Sequence, residues 1–391
     1  MHIDYSPEQK ALRDDLRSYF QKLLTPERRA GLHGMEGGPT FRETVRQMGK
    51  DGWLGVGWPK EYGGQGRTAL EQFIFIDEVR RSGAPLPFVT LSTVGPALME
   101  LGSEEQKAEY LPKILAGEIH FAIGYTEPEA GTDLASLSTA ALKDGDEYVI
   151  NGTKIFTSSA NIADYVWLAA RTSSEGKKHH GITIFILDTQ DPGFSSSLIH
   201  TLGNGATCMS YYENCRVPER NIVGGLNGGW RLITTQLNHE RVGLAAFGAL
   251  SLKHFDDVVA WANTTESEDG QRVSDRPWVQ MALAEAKARL EAMKLMNWRM
   301  AWQLEQGQLD PAQASAVKVY GTETVVEVYR LLLDVVGSAG SIVAGSPGAV
   351  LLGELEVNHR SCQINTFGGG VNEIQREIVS MAGLGMPRVP R

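Results

Sequence analysis

The sequence predicts an α+β protein in which a helical segment, a short β segment and a second helical segment follow one another. Three observations carry this. Apolar residues recur at helical spacing from the N-terminus to about residue 120. From there to about residue 225 they gather into short β-branched and aromatic runs. After Trp230 the helical period returns and persists. The expected domains are 1–120, 121–228 and 229–391, the last a four-helix bundle.

Each element has a local reason. Ser6-Pro7-Glu8-Gln9 opens the first helix with a hydroxyl cap, a proline in the first turn and a glutamine three residues on. Leu12, Leu16, Phe20, Leu23 and Leu24 then share one face. A second helix is predicted after Thr40 and a third from Leu70 to Arg81. Ser103-Glu104-Glu105-Gln106 opens a fourth by the same capping logic, running to about Leu115. Between them, residues 52–66 are rich in glycine and aromatics and read as a packed loop.

In the middle segment, Tyr148-Val149-Ile150, Tyr165-Val166-Trp167-Leu168 and the run from Ile182 to Leu187 read as strands. Asp144-Gly145-Asp146 and Asn151-Gly152 read as the turns between them. Strands without intervening helices predict a small antiparallel sheet or barrel. Helices over 229–262, 276–306, 311–336, 349–362 and 370–383 predict the closing bundle, with a polar break at 264–276.

Composition excludes several functions. The chain has 391 residues, 42% hydrophobic and 21% charged, with a net charge of 37 − 47 = −10. Such an acidic chain is a poor partner for nucleic acid or an anionic membrane. The polar start MHIDYSPEQK does not read as a signal peptide. No apolar run reaches the roughly 18 residues of a spanning helix. A soluble, cytoplasmic protein is therefore expected. Cys208, Cys215 and Cys362 form no CxxC, so neither a zinc site nor a disulfide framework is expected. Glycine is in surplus, 43 of 391 residues against about 7% in average proteins, which signals tight turns or close backbone approaches.

Generic catalytic patterns are missing: there is no GxGxxG, P-loop, HExxH or GxSxG. His179-His180 sits in a charged loop and reads as solvent-exposed rather than as a ligand pair. Two other segments carry more. Gly124-Tyr125-Thr126-Glu127-Pro128-Glu129-Ala130-Gly131-Thr132-Asp133 resembles the first signature of the acyl-CoA dehydrogenases. Phe367-Gly368-Gly369-Gly370-Val371-Asn372-Glu373-Ile374-Gln375-Arg376 resembles their closing signature. The helical, β, helical order also matches that family, so the resemblance covers essentially the whole chain.

The resemblance implies FAD-dependent α,β-dehydrogenation of an acyl-CoA thioester. Such chemistry needs a carboxylate base, hydrogen bonds that orient the flavin and donors for a developing enolate oxygen. By motif position, Tyr125, Thr126, Gly131, Thr132, Phe156, Ser158, Val371 and Glu373 fall on the cofactor. Thr126 matches the residue that hydrogen-bonds the flavin ring, and Gly131-Thr132 the turn approaching the pyrophosphate. Phe156 and Ser158, in KIFTS, match the aromatic and hydroxyl groups beside the isoalloxazine. Gly369 and Gly370 match the backbone donors to the thioester oxygen. Val371 stands where threonine is usual.

The base departs from the common pattern. Most members carry it on the closing loop, at the position of Gly369 here, and a glycine cannot be a base. Isovaleryl- and long-chain-type members place a glutamate in a Glu-Arg pair on the first bundle helix. This chain has Asn238-His239-Glu240-Arg241 there, which makes Glu240 the expected base and Arg241 a structural neighbour.

A second departure concerns assembly. Homomeric members lend an Arg-x-x-Phe and a Gln-x-x-x-Gly to a neighbour's flavin. Here residues 264–276 hold no such arginine motif, and Asp334 and Ser338 replace the glutamine and the second glycine. A carboxylate beside a pyrophosphate is electrostatically unfavourable. The chain thus keeps what its own flavin needs and loses what it would lend. This is similar to the base-bearing subunit of actinobacterial heterotetrameric dehydrogenases acting on steroid, cholesterol-derived side-chain CoA thioesters. The implied partners are the acyl-CoA, a second dehydrogenase subunit in an α2β2 assembly and an electron-transfer-flavoprotein-type acceptor. A homotetramer for branched or medium chains and a flavin-poor structural subunit remain the alternatives.

Overall fold

The computed structural model of the chain describes residues 4–32, 37–234, 248–308 and 310–387. The N-terminal part is helical: α1 (Pro7–Leu23), α2 (Pro26–Leu32), α3 (Pro39–Lys50), α4 (Ala69–Ser82), α5 (Gly95–Leu101) and α6 (Glu104–Leu115). Capping boxes form at Ser6 and Ser103 as the spacing predicts, and also at Thr68, whose hydroxyl accepts from the Glu71 N–H. Leu16, Phe20, Val45, Phe75 and Leu98 meet in the core of this part. The loop of residues 52–66 is packed: Leu54, Val56 and Trp58 are buried in it. A Cβ on Gly64 would lie 2.1 Å from the Trp58 carbonyl oxygen, so only glycine fits there.

Strands β1 (Phe121–Gly124), β2 (Ala140–Asp144), β3 (Glu147–Ile155), β4 (Tyr165–Arg171), β5 (Ile182–Asp188), β6 (Phe194–His200), β7 (Ala206–Pro218) and β8 (Ile222–Val223) form one sheet. Its order is β6-β7-β3-β2-β4-β5-β8, with β1 added beside β4. The sheet is mixed rather than wholly antiparallel, because β1 and β2 both run parallel to β4. The hairpin β2–β3 lies in the connection from β1 to β4, giving it the length a parallel crossover needs. Gly145-Asp146 turns that hairpin as predicted, with Gly145 at φ 62. Asn151-Gly152 is not a turn: it lies inside β3, where the register to β7 slips at a bulge. The apolar run in β5 is buried throughout, since Ile184 and Ile186 face the N-terminal helices while Phe185 and Leu187 face a second cluster.

The C-terminal part holds α7 (Gly248–Thr264), α8 (Pro277–Glu305), α9 (Pro311–Val336), α10 (Glu354–Cys362) and α11 (Asn372–Ile378). Helix α10 starts later than its periodicity suggests, because Leu351 and Leu352 take left-handed backbone angles just before it. Val258, Ala286, Val328 and Leu332 form the centre of the bundle. Among the described residues no helix is long and apolar enough to cross a membrane. All three cysteines are buried and unbridged.

Candidate functional site

The first motif forms a hydrogen-bonded loop at the end of β1. Glu127 and Ala130 exchange backbone hydrogen bonds at 3.1 Å, which turns the chain back on itself. The Thr126 carbonyl accepts from the Ile155 N–H at 2.8 Å, tying the loop to the end of β3. Lys154 on β3 donates to the Tyr125 carbonyl (3.0 Å) and to the Glu127 carboxylate (2.8 Å). Glu127 also accepts from the Ser138 and Thr139 N–H groups and the Ser138 hydroxyl. Burial opposes its charge, but the Lys154 ammonium and these donors hold its pKa down at about 2. Burial pushes the ammonium down to about 8 against the pull of Glu127, so the pair is ionised at neutral pH.

Beyond this anchor the motif is open. Gly131, Thr132 and Asp133 are exposed, and no protein atom lies within 4 Å of where a Gly131 Cβ would be. Phe156 follows Ile155 with φ 61 and leaves 60% of its surface exposed. An aromatic ring held in left-handed backbone and presented to solvent is strained without a burial gain, a pattern typical of ligand-binding positions. The exposed Ser158 hydroxyl pairs with that of Thr207 on β7 at 3.0 Å. The Tyr125 hydroxyl is turned inward, where it accepts from Trp167 at 3.0 Å. An open glycine turn, a bare aromatic face and two hydroxyls suit a planar, phosphate-bearing cofactor such as FAD.

The closing motif forms a second cluster. Residues 363–366 make a short 3-10 turn, and Gly369 (φ 67) and Gly370 (φ 99) then carry the chain into α11. Among the described residues the Gly369 and Gly370 N–H groups have no hydrogen-bond partner. Lys318, buried on α9, donates to the carbonyls of Thr366 (3.2 Å) and Gly370 (2.6 Å) and to the Asn372 side chain (2.8 Å). Asn372 in turn reaches Thr322 and Glu323, and Glu323 pairs with Arg376. Val371 is the N-cap of α11 and, having no hydroxyl, makes no capping hydrogen bond. Glu373 is exposed in the first turn of that helix.

Hydrogen bonds join the sheet to the helix preceding this cluster. Arg360 on α10 donates to the Leu202 carbonyl and to Asn204 (3.1 Å), and the Ser361 hydroxyl donates to the Gly203 carbonyl (3.0 Å). Glu240 and Arg241 lie outside the described residues. Asp334 is exposed and paired with Arg330 at 2.8 Å, and Ser338 lies in the 3-10 turn Gly337–Ser341 after α9.

Comparison with known proteins settles the family. The chain matches the models of the acyl-CoA dehydrogenase N-terminal domain over residues 6–118, the middle domain over 122–215 and the C-terminal domain over 227–384. It belongs to the acyl-CoA dehydrogenase family. Members are FAD-dependent oxidoreductases. The chain is 51% identical to acyl-CoA dehydrogenase FadE26 of Mycobacterium tuberculosis, covering 100% of both chains. It is similar to a chain of the Tcur3481-Tcur3483 steroid ACAD, with 54% identity, a TM-score of 0.95 and 100% of both chains covered. A chain of the ChsE4-ChsE5 complex from Mycobacterium tuberculosis matches with 51% identity, a TM-score of 0.94 and 100% of both covered.

In this acyl-CoA dehydrogenase the motif residues fall into separate clusters, each centred on a buried lysine that motif reading passed over. Both lysines left a signal. Lys154 follows Tyr148 and Ile150 on the inward parity of β3. Lys318 shares a helical face with Ala314, Thr322 and Val325, all buried. A lysine on an inward face calls for an internal partner.

Proposed function

We propose that this acyl-CoA dehydrogenase removes an α-proton and a β-hydride from an acyl-CoA thioester, with Glu240 as the base. Bound FAD would supply the hydride acceptor. Thr126, Ser158, Thr207 and Phe156 are the groups that would orient the ring, and Gly131-Thr132 the turn beside the pyrophosphate. The Glu240 carboxylate takes the proton from the α-carbon. The Gly369 and Gly370 N–H groups receive the charge that builds on the thioester oxygen.

The observation that carries this reading is the closing turn. Gly369 and Gly370 take positive φ and carry no side chain, and among the described residues their N–H groups have no partner. The turn can therefore donate to an oxyanion but cannot supply a base, and the resemblance of Glu240-Arg241 to the Glu-Arg pair of isovaleryl- and long-chain-type members supports Glu240 in that role. A steroid-type acyl group and a second subunit of the same family, in an α2β2 assembly, are the extended form of the proposal. The names of the two structural relatives above support it, as do Asp334 and Ser338 at the positions that would be lent to a neighbour. Replacing Glu240 with glutamine tests the core: turnover should vanish while flavin content and fold stay. Retained turnover would overturn the assignment.

A further inference from the structure

We propose that Lys318 is a positioning residue for the reaction, fixing the Thr366–Gly370 turn so that the Gly369 and Gly370 amides meet the thioester oxygen. This rests on the dehydrogenase reading above. One ammonium holds the carbonyls at both ends of the turn, Thr366 at 3.2 Å and Gly370 at 2.6 Å, and with Asn372 (2.8 Å) all its donors are used. Among the described residues the turn's other ties lie at its start: the Phe367 and Gly368 N–H groups donate to the Ile364 carbonyl at 3.1 and 2.7 Å, and the Thr366 hydroxyl to the Gln363 carbonyl at 2.9 Å. Gly369 and Gly370 have no side chains, and the Phe367 ring is 57% exposed. Two adjacent glycines would otherwise sample many backbone states. An oxyanion donor works only when held in place before charge develops.

With the Thr366 and Gly370 carbonyls held from behind, the Gly369 and Gly370 amides have no hydrogen-bond partner among the described residues. The Gly370 carbonyl shares its peptide unit with the Val371 N–H, so the ammonium polarises that donor as well. A neutral amine would donate more weakly to every partner. Burial drives the Lys318 pKa down to about 8, with Glu373 and Glu323 opposing the shift. Glu323 lies on α9 beside Lys318, and Glu373 and Arg376 face the site from α11, with Arg376 paired to Glu323.

The flavin-loaded enzyme, co-expressed with its partner subunit where one is required, tests this with Lys318→Met and Lys318→Arg. In Lys318→Met, kcat should fall about 100-fold while KM changes little, the loss expected when oxyanion donors lose their placement. The carbonyl stretch of a bound 3-thia-acyl-CoA, which has no β-hydrogen to transfer, should move back towards its value in water. An unchanged kcat and carbonyl stretch overturns the proposal, as does a kcat loss that merely tracks lost flavin-loaded protein. If Lys318→Met does not fold, pH profiles carry the test. Wild-type kcat should decline above about pH 8, and Lys318→Arg should lack that limb because arginine stays charged. The same limb in both overturns the proposal. Retained turnover in Glu240→Gln sinks the parent reading instead, so the failures are distinguishable.

Discussion

The Lys154 ammonium lies 2.8 Å from the Glu127 carboxylate, and both side chains are closed to solvent. This pair stands behind the exposed turn from Gly131 to Asp133 and joins it to β3, the strand that leads into Phe156. Removing one partner strands the other charge in the interior. We expect Lys154→Met to lower stability by about 3–5 kcal/mol, the usual cost of breaking a buried pair. Denaturant unfolding measures it. The pair also sets an acid limit. Glu127 titrates at about 2 when folded against 4.5 in the unfolded chain, so its contribution is present above pH 4.5 and lost as pH falls towards 2. Glu127→Gln should lose that part of the acid dependence.

How much of this was legible in the sequence differs by level. Capping boxes and periodicity located the helices because those signals are local: Ser6 with Gln9, and Ser103 with Gln106, are three residues apart. Strand β6 escaped notice because FSSSLIH is mostly exposed and polar, held by pairing with β7 rather than by its own apolar pattern. Asn151-Gly152 carried a turn signature but is a bulge, since Thr139 packs where a Gly152 side chain would be. In the candidate site the motif glycines were readable, whereas Lys318 was not. Its partners Thr366, Gly370 and Asn372 are about fifty positions away in sequence, and two of the three are backbone carbonyls with no residue-type signal.

Phe156 is held at φ 61 with most of its ring exposed. A left-handed phenylalanine costs about 1–2 kcal/mol in backbone strain, and the exposed ring recovers little of it by burial. Phe156→Gly should therefore leave the flavin-free protein as stable as wild type or more so. If the ring packs against FAD, the same change weakens flavin binding by about tenfold, the worth of one aromatic contact. Thermal unfolding of the apoprotein and flavin titration give the two numbers. A loss of apoprotein stability would show that the ring serves the fold instead.

His120 sits at the junction of the N-terminal helices and the sheet, buried, with no partner for Nε2 among the described residues. Burial, and then the Arg42 guanidinium, push its pKa down to about 4, while Asp164 pulls the other way. Its ordinary value is 6.5, so the unfolded chain binds the extra proton first and stability falls as pH drops from 6.5 to 4. At about 1.4 kcal/mol per unit, the ring accounts for up to about 3 kcal/mol across that window. His120→Gln should be less steeply pH-dependent than wild type there. Equal slopes in denaturant unfolding at pH 6.5 and pH 4 would place the acid sensitivity elsewhere.

Asp334 bears on assembly. Its carboxylate is exposed and balanced by Arg330 on its own helix, so within this chain it has no structural need for a neighbour. If a second copy's flavin pyrophosphate came to this surface, a fixed negative charge would meet it at short range, with too little solvent to screen it. A different subunit, bringing its own cation to this chain's flavin and none of its own phosphate to Asp334, avoids that repulsion. We expect the chain purified alone to hold well under one FAD, and co-expression with its partner to bring the ratio to one FAD per pair of unlike subunits. Flavin absorbance against protein concentration reads both. A lone chain with full flavin and full turnover would instead establish the homomeric enzyme, and Asp334→Gln would then be expected to tighten its flavin binding.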